Sequence, residues 1–532
     1  MIRNKISSIG LFLFSAALLS CAMSYPQKLG FFVFFFLIPI LLYLEKHKDV
    51  HKSGMLFKSM FVFNFTYLAV STSWFLSVFP LDWLKITDPI LSIFIIVPFW
   101  FAFLAAMSIL MAFWPLLLLR VQTSVMAMNA GIAASLWVLI EYIRSWVLAF
   151  GVYGNETLFG PHNTYYSIAY PVSAISFLQE LFPVGGIYLV SFIIILCNYF
   201  LYYSYVWYIK RSTDFRALVL LGSIIMIGIF VSVSVVHRVR ESDKAGVSFT
   251  ATVVNMQEPS LNTIFIAEEK IRKAVTFIET MKNTDGIIIF PENINILPSY
   301  LDEKQDKKVL RIPKLIIGSF TGHQFYNMYF FTPQDKKIEY YRKQLLMPIG
   351  EYNISWMDFL IQKSSISSWV NAYTASKHTS KKGNTETVFS YLEIPGLIFG
   401  GSLCSENISP YIYRNATKLG ATVLLNIASH APFHGSDLLA RQTLAINTAR
   451  ALESGRYLIT SSNYGVSFVI TDEGAVRYVS NTQKEGSLAN VSIEVKKYIT
   501  PFVAYGDYII YISVLILCIR VIWLRKIFDY TN

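Results

Sequence analysis

The sequence predicts a polytopic α-helical membrane bundle of about eight spans and one α/β domain outside the bilayer. The first observation is composition: of 532 residues, 54% are hydrophobic and only 15% are charged, and the mean hydropathy is +0.47. A soluble protein carries roughly 25% charged residues, so much of this surface must face lipid. The second observation is distribution, because the long apolar runs lie before residue 238 and after residue 500.

Eight apolar runs are candidates for membrane helices. Most of them reach or approach the roughly 20 residues that a helix needs to cross a bilayer. The runs are 6–24, 29–44, 60–80, 89–119, 125–147, 186–206, 217–236 and 503–524. We therefore divide the chain into a membrane bundle of about seven spans (1–237), a soluble domain (238–500), and a final span with its tail (501–532).

Lysine and arginine lie mainly in the loops on one side of these spans. The short loops on the other side hold only Lys28 and Lys85, and residues 148–180 contain neither residue type. The positive-inside rule then places both termini in the cytoplasm and 238–500 on the outer face. The net charge of +11 partly reflects this bias, so we do not interpret it as a nucleic-acid signal. The basic residues that orient the chain are Arg3, Lys5, Lys46, Lys48, Lys52, Lys58, Arg120, Lys210, Arg211, Arg216, Arg520, Arg525 and Lys526.

The segment 238–500 alternates β-rich runs with helical stretches at 261–282, 408–418 and 437–455, a pattern typical of an α/β domain. A long connection follows residue 352 and carries Trp356 and Trp369 among other apolar residues. Apolar side chains in a long connection indicate a lid or an arm that contacts the membrane.

Three side chains with acid, base or nucleophilic chemistry follow predicted strands. "IIIFPENI" carries Glu292, "YYRKQLLMPIGEY" carries Lys343 and Glu351, and "LIFGGSLCSEN" carries Cys404, the one cysteine of four outside an apolar run. Active groups of α/β domains collect at strand ends. A thiol accepts an acyl group as its thiolate, a carboxylate can take the thiol proton, and a lysine can stabilise the anions that form.

Each of these residues alone has an ordinary structural interpretation, and only their ordered combination favours an active site. His430 and His434 allow two rival hypotheses, a Cys-His pair and a metal site, but Pro432 and Gly435 indicate a loop between them. No metal site and no cofactor are predicted.

The motifs F-P-E, Y-x-K-x-x-L-x-P-x-G-E-Y and C-x-E, in this order, resemble the nitrilase superfamily of Glu-Lys-Cys enzymes. Together with the membrane spans they resemble the apolipoprotein N-acyltransferase family of bacterial membranes. "VLIEYIRSW" (138–146) and "NTARALESGRYLITSSNYGVSFVITDEG" (447–474) are similar to further segments of that family. The chain departs from the family pattern at Phe290, at Ser405 and in "NIASHAPFHG" (426–435).

The resemblance implies a nitrilase-like αββα sandwich as the soluble domain. It implies that Glu292 is the general base, Lys343 the oxyanion-stabilising residue and Cys404 the nucleophile. Glu351 would support the lysine or relay a proton, and Glu406 would order the site.

The resemblance further implies that a membrane phospholipid donates an acyl chain through a cysteine thioester, without metal or cofactor. The acceptor would be the N-terminal amine of a diacylated lipoprotein. The enzyme would be a monomer of the bacterial inner membrane, with its catalytic domain on the periplasmic face. Glu141 and Arg144, three residues apart on one helix face, would pair with each other and help to shape a lipid-side pocket.

Two alternatives remain open from the residues alone. A membrane-tethered nitrilase-type amidase would share the three side chains, but one anchoring span would serve it. A transporter or sensor would need polar residues deep in several spans, and the runs contain few.

Overall fold

The computed structural model describes most of the bundle and the core of the soluble domain. The described residues are 2–46, 53–81, 88–210, 215–243, 246–257, 272, 286–292, 294, 314–322, 324–363, 380–383, 388–480 and 488–531. Trp369 and, apart from Arg272, the predicted helical stretch 261–282 lie outside them.

Helices form both ends of the chain and cover part of the soluble domain. They are α1 (Ile2–Ser24), α2 (Pro26–Leu29), α3 (Ile38–Lys46), α4 (Ser53–Ser71), α5 (Pro89–Ala112), α6 (Trp114–Val121), α7 (Met126–Gly151), α8 (Phe182–Lys210), α9 (Phe215–Glu241), α10 (Ser355–Lys363), α11 (Pro410–Lys418), α12 (Asp437–Ser454), α13 (Pro501–Tyr505) and α14 (Tyr508–Thr531). Short 3₁₀ turns occur at Gly30–Phe34, Ser73–Val78, Tyr170–Ala174, Ser176–Leu181, Cys404–Ile408 and Ala431–Phe433.

Each of the eight predicted apolar runs contains α-helix, and breaks or 3₁₀ turns interrupt the second, third, fourth and last of them. Within the described part of the chain, five helical segments are long and apolar enough to cross a bilayer, and two shorter apolar helices lie near the termini. The prediction of a membrane bundle is confirmed, while the number of eight spans stays a prediction.

The second apolar run is a broken helix, which its sequence did not indicate. The chain passes from α2 through a 3₁₀ turn to α3, and this break frees backbone groups inside the bundle. Asn198 on α8 satisfies them: its amide donates to the Val33 carbonyl at 3.0 Å, and its oxygen accepts the Leu37 N–H at 3.0 Å. Irregular backbone is tolerated at membrane depth where neighbouring helices supply such partners.

The soluble domain is built from two six-stranded sheets, in the orders β12-β1-β2-β3-β4-β5 and β11-β10-β9-β8-β7-β6. In each sheet three central strands run parallel and antiparallel strands flank them. The strands are β1 (Ser248–Val254), β2 (Ile287–Ile289), β3 (Leu315–Thr321), β4 (Tyr326–Thr332), β5 (Lys337–Arg342), β6 (Val388–Tyr391), β7 (Leu397–Gly400), β8 (Val423–Ser429), β9 (Tyr457–Asn463), β10 (Phe468–Ile470), β11 (Val476–Val479) and β12 (Leu488–Glu494).

The two sheets pack face to face through one apolar core. Side chains such as Val253 and Ile289 of the first sheet meet Phe399 and Leu425 of the second. The outer face of the second sheet is covered by α11 and α12, with Tyr413 and Ala451 in that layer. The predicted nitrilase-like two-sheet α/β domain is therefore confirmed.

Candidate active site

The three predicted catalytic side chains follow strands of both sheets. Glu292 comes after β2, Lys343 directly follows β5, and Cys404 comes after β7. The Glu292 N–H donates to the carbonyl of Ala428 on β8, at 3.3 Å, and so links the two sheets at this point. The sandwich therefore brings together at one end three residues that lie 112 positions apart, from 292 to 404.

Cys404 begins a 3₁₀ turn and adopts a left-handed backbone conformation, with φ of +49°. This conformation is costly for a residue with a β-carbon and persists where surrounding contacts fix it. The side-chain amide of Asn426 donates to the Cys404 carbonyl at 3.2 Å, and the sulfur lies 3.9 Å from the Ser429 carbonyl. The thiol is thus held on a sharp turn beside the end of β8.

Glu292 is buried, Cys404 is half-buried, and their side chains interact with each other. Burial raises the pKa of Glu292 to about 7, while the Lys343 charge acts in the opposite direction. Burial, together with the negative charge of Glu292, raises the pKa of Cys404 to about 12. At neutral pH the thiol therefore keeps its proton, and Glu292 is the group with a pKa suited to remove it.

Lys343 is fully buried and remains a cation. Its Nζ donates to Glu351 Oε1 at 2.7 Å and lies 5.5 Å from the centre of the Tyr326 ring. Burial acts to lower the pKa of Lys343, but the charge of Glu351 and those of its other neighbours outweigh burial and raise it. A buried ammonium beside the thiol can stabilise negative charge on a reacting carbonyl oxygen.

Glu406 ties the backbone before Cys404 to the backbone after Lys343. One carboxylate oxygen accepts the N–H groups of Gln344 at 2.7 Å and Leu345 at 3.1 Å. The other accepts the Leu403 N–H at 2.6 Å and the Tyr341 hydroxyl at 2.8 Å. Since all four donors lie within two positions of Lys343 or Cys404 in the chain, Glu406 fixes the relative position of these two residues.

Sequence reasoning missed a set of buried polar residues that supports the turn carrying Cys404. Asn426 donates to both Ser402 and Cys404, and Asn447 on α12 donates to Asn426 at 3.2 Å. The available signal was an asparagine inside the apolar strand "VLLNIAS", because a polar side chain in a buried strand needs specific partners.

The two histidines do not form a catalytic pair or a metal site in the described structure. His430 is buried, burial lowers its pKa to about 4, and its backbone N–H donates to the Asn463 carbonyl at 2.8 Å. His434 is exposed and left-handed, with φ of +47°. Among the described residues no three His, Cys, Asp or Glu side chains are grouped to hold a metal.

Glu141 and Arg144 lie in the bundle on α7, and the hydrogen bonds of both go to other residues rather than to each other. Glu141 accepts the Ser191 hydroxyl at 2.8 Å and the Ile168 N–H at 3.0 Å. Arg144 donates to the Tyr166 carbonyl at 2.7 Å. The two charged side chains attract each other electrostatically, while their hydrogen bonds attach the loop after α7 to the helix at two separate points.

Trp356 lies at the start of the predicted arm, and its side chain is 49% exposed. Its indole N–H donates to the Gly151 carbonyl at the end of α7, at 2.8 Å. Just before it, the Tyr352 hydroxyl donates to the Val152 carbonyl at 2.8 Å. The arm thus begins against the bundle, while Trp369 lies outside the described residues.

A bundle of apolar helices that carries a two-sheet α/β domain defines a membrane protein with a nitrilase-like domain. Two family profiles match the chain: "Apolipoprotein N-acyltransferase N-terminal domain" over residues 15–200 and "Carbon-nitrogen hydrolase" over residues 312–498. The chain belongs to the apolipoprotein N-acyltransferase family. It is accordingly an acyltransferase of the bacterial inner membrane.

Relatives that carry the name apolipoprotein N-acyltransferase match over much of the chain. The protein of Rickettsia prowazekii is 25% identical over 74% of this chain and 76% of its own. That of Mycolicibacterium smegmatis is 24% identical over 62% and 59%, and that of Nitrosomonas europaea is 24% identical over 65% of each chain.

Proposed function

We propose that the protein transfers an acyl chain from a membrane phospholipid to the N-terminal amine of the diacylglyceryl-cysteine of lipoproteins. The names of its relatives support N-acylation of lipoproteins in general. The observation that supports the specific chemistry is the convergence of the buried Glu292 and Lys343 with the half-buried Cys404 at one end of the sandwich. A thiol with a base and a cation beside it suits two-step acyl transfer.

In the first half-reaction Glu292 takes the thiol proton as the Cys404 sulfur attacks the ester carbonyl of the phospholipid. The Lys343 ammonium stabilises the oxyanion of the tetrahedral intermediate. The intermediate collapses, the lysophospholipid alkoxide leaves with the proton held by Glu292, and a thioester remains on Cys404.

In the second half-reaction the lipoprotein amine attacks the thioester carbonyl. Glu292 takes a proton from the amine, and the same ammonium stabilises the second oxyanion. The carbon–sulfur bond then breaks, the Cys404 thiolate recovers a proton from Glu292, and the acyl chain leaves as an amide. The cycle consumes no cofactor.

The bundle favours lipid substrates over the alternative of a tethered amidase. An amidase with a soluble substrate needs one anchor, whereas this chain devotes several apolar helices to the membrane. The acyl chains of both proposed substrates lie in the bilayer and their reacting groups lie at its surface, so a nucleophile docked on the bundle can reach both. The Lys and Arg distribution supports a periplasmic position for the domain.

The test is single-turnover labelling of the full-length protein in vesicles with a phospholipid that carries a tagged acyl chain. Mass spectrometry should find the tag on Cys404 alone, and a tagged lipopeptide amide should appear when a diacylated lipopeptide is added. Cys404→Ala should remove the label, and Cys197→Ala is the matched control that should keep it. A label that survives Cys404→Ala, or turnover of soluble amides with no label from phospholipid, would refute the proposal.

A further inference from the structure

We propose that the loop 162–170, which leaves the membrane bundle after α7, positions the turn that carries Cys404. In this arrangement Thr164 is a positioning residue for the nucleophile, and Glu141 and Arg144 act through the loop. The inference rests on the proposed role of Cys404 and extends it, because it makes the geometry of the nucleophile depend on how the catalytic domain docks on the bundle.

The loop contacts the nucleophile turn where that turn ends. The hydroxyl of Thr164 donates to the carbonyl of Ile408, the last residue of the 3₁₀ turn that Cys404 begins. Next to it, the His162 ring nitrogen Nδ1 lies 2.9 Å from the Ser409 hydroxyl. Thr164 and Ser409 are both buried, so water does not compete for these contacts.

Thr164 is itself the middle of a directed chain of hydrogen bonds. Its hydroxyl lies 2.6 Å from the Tyr170 hydroxyl, and the Arg450 guanidinium donates to Tyr170 at 3.2 Å. Because the Ile408 carbonyl can only accept, the Thr164 proton points to it and Tyr170 must supply the other proton. The chain therefore runs from Arg450 through Tyr170 and Thr164 to Ile408, and a charged donor at its start strengthens the bonds that follow.

The loop is held in place from inside the bundle. Arg144 donates to the Tyr166 carbonyl at 2.7 Å, Glu141 accepts the Ile168 N–H at 3.0 Å, and Ser145 donates to the Asn163 carbonyl at 2.6 Å. Three side chains of α7 thus hold the backbone of the loop at residues 163, 166 and 168, one before Thr164 and two after it. Glu141 and Arg144 thus act on the turn indirectly, by holding the loop that contacts it.

The left-handed conformation of Cys404 gives this docking a chemical consequence. Such a conformation is strained in a non-glycine residue and needs contacts on both sides to persist. Glu406 and Asn426 hold the start of the turn, and Thr164 holds its end. If the end is released, the turn can relax and the sulfur moves away from Glu292 and Lys343.

The experiment compares Thr164→Val with Thr164→Ser in full-length protein whose other cysteines, Cys21, Cys197 and Cys518, are replaced by alanine. Two rates are measured in vesicles: acyl labelling from tagged phospholipid and alkylation of Cys404 by iodoacetamide across pH. Thr164→Val should slow acyl labelling by about tenfold or more, since small misplacements of a reacting group cost up to about 100-fold. It should also change the pH profile of alkylation, and Thr164→Ser should restore both to near the parent values.

Ser77→Ala is the matched control, because the Ser77 hydroxyl also joins the two parts of the protein, donating to the Phe433 carbonyl at 2.9 Å, but contacts neither the nucleophile turn nor the loop 162–170. Equal losses in Ser77→Ala and Thr164→Val, or parent-like rates in Thr164→Val, would overturn the inference. If Thr164→Val does not fold, Tyr170→Phe is used instead, because it removes the hydroxyl that donates to Thr164. The same outcomes then support or overturn the inference. A parent protein without acyl label refutes the proposed function alone, since alkylation reports on the turn without any lipid.

Discussion

The ammonium of Lys343 lies 2.7 Å from the carboxylate of Glu351, with side chains that are 0% and 12% exposed. The second oxygen of Glu351 accepts the Met347 N–H at 2.8 Å, so the carboxylate is fixed to its own loop. The lysine is therefore oriented by a group that is itself held in place.

Glu351→Gln should slow acyl labelling of Cys404 by about tenfold or more, because the amide keeps the shape but removes the charge that orients a buried cation. Single-turnover labelling measures the effect. Glu339→Gln is the control, since Glu339 pairs with Lys337 on the exposed surface, where ion pairs contribute little. Equal losses in the two variants would contradict an orienting role for Glu351.

The rate of acyl labelling should rise with pH through a midpoint near 7. Glu292 must be ionised to accept the thiol proton, and burial raises its pKa to about 7, so activity is lost as the pH falls through that value. Labelling rates between about pH 5.5 and pH 9 test this. Glu292→Gln should lower the rate by about 10²–10⁴-fold and remove this titration. If the pH profile of Glu292→Gln keeps the same midpoint, the group that titrates is not Glu292.

Glu406→Gln should destabilise the protein as well as inactivate it. The carboxylate accepts four hydrogen bonds. In glutamine an NH₂ group replaces one of the two oxygens, and it cannot accept a hydrogen bond from the donors that face it. Leaving buried donors unpaired costs about 1–3 kcal/mol, and more for charged groups. Thermal unfolding in detergent should show a lower midpoint than for the parent, whereas Glu393→Gln, in an exposed pair with Lys314, should not change it.

Trp356→Ser should increase hydrolysis of the Cys404 thioester relative to transfer, because the indole fastens the start of the arm to the end of α7. From the sequence we expect the same of Trp369→Ser. The measurement is the ratio of free fatty acid to lipopeptide amide from tagged phospholipid. Leu392→Ser, at a side chain that is 86% exposed, is the control and should leave the ratio unchanged. An unchanged ratio in Trp356→Ser would argue against a role in excluding water.

Reporter fusions should place the loop after Arg216 in the cytoplasm and the segment after Ser242 in the periplasm. This expectation follows from the Lys and Arg bias and from α9, which lies between the two positions. Fusions that report the same side would overturn the topology.

The sequence by itself determined the fold class and was enough to predict three candidate catalytic side chains. Apolar runs long enough to span a bilayer must be helical there, because backbone groups in lipid have to be satisfied within the segment. Glu292, Lys343 and Cys404 could be singled out because each follows a recognisable strand, and strand ends are where α/β domains place reactive groups. These signals lie within short stretches of sequence, so they can be recognised without knowledge of the tertiary structure.

The tertiary structure alone decided how these residues are held. The bonds from Tyr341, Gln344 and Leu345 to Glu406, the amide of Asn426 on the Cys404 carbonyl, and the contact of Thr164 with Ile408 join segments from 22 to 244 positions apart. The break before α3 likewise depends on Asn198, which lies 161 positions from Leu37. No periodicity encodes such pairs, because a hydrogen bond needs two groups at about 3 Å, and packing of the sheets and the bundle sets that distance.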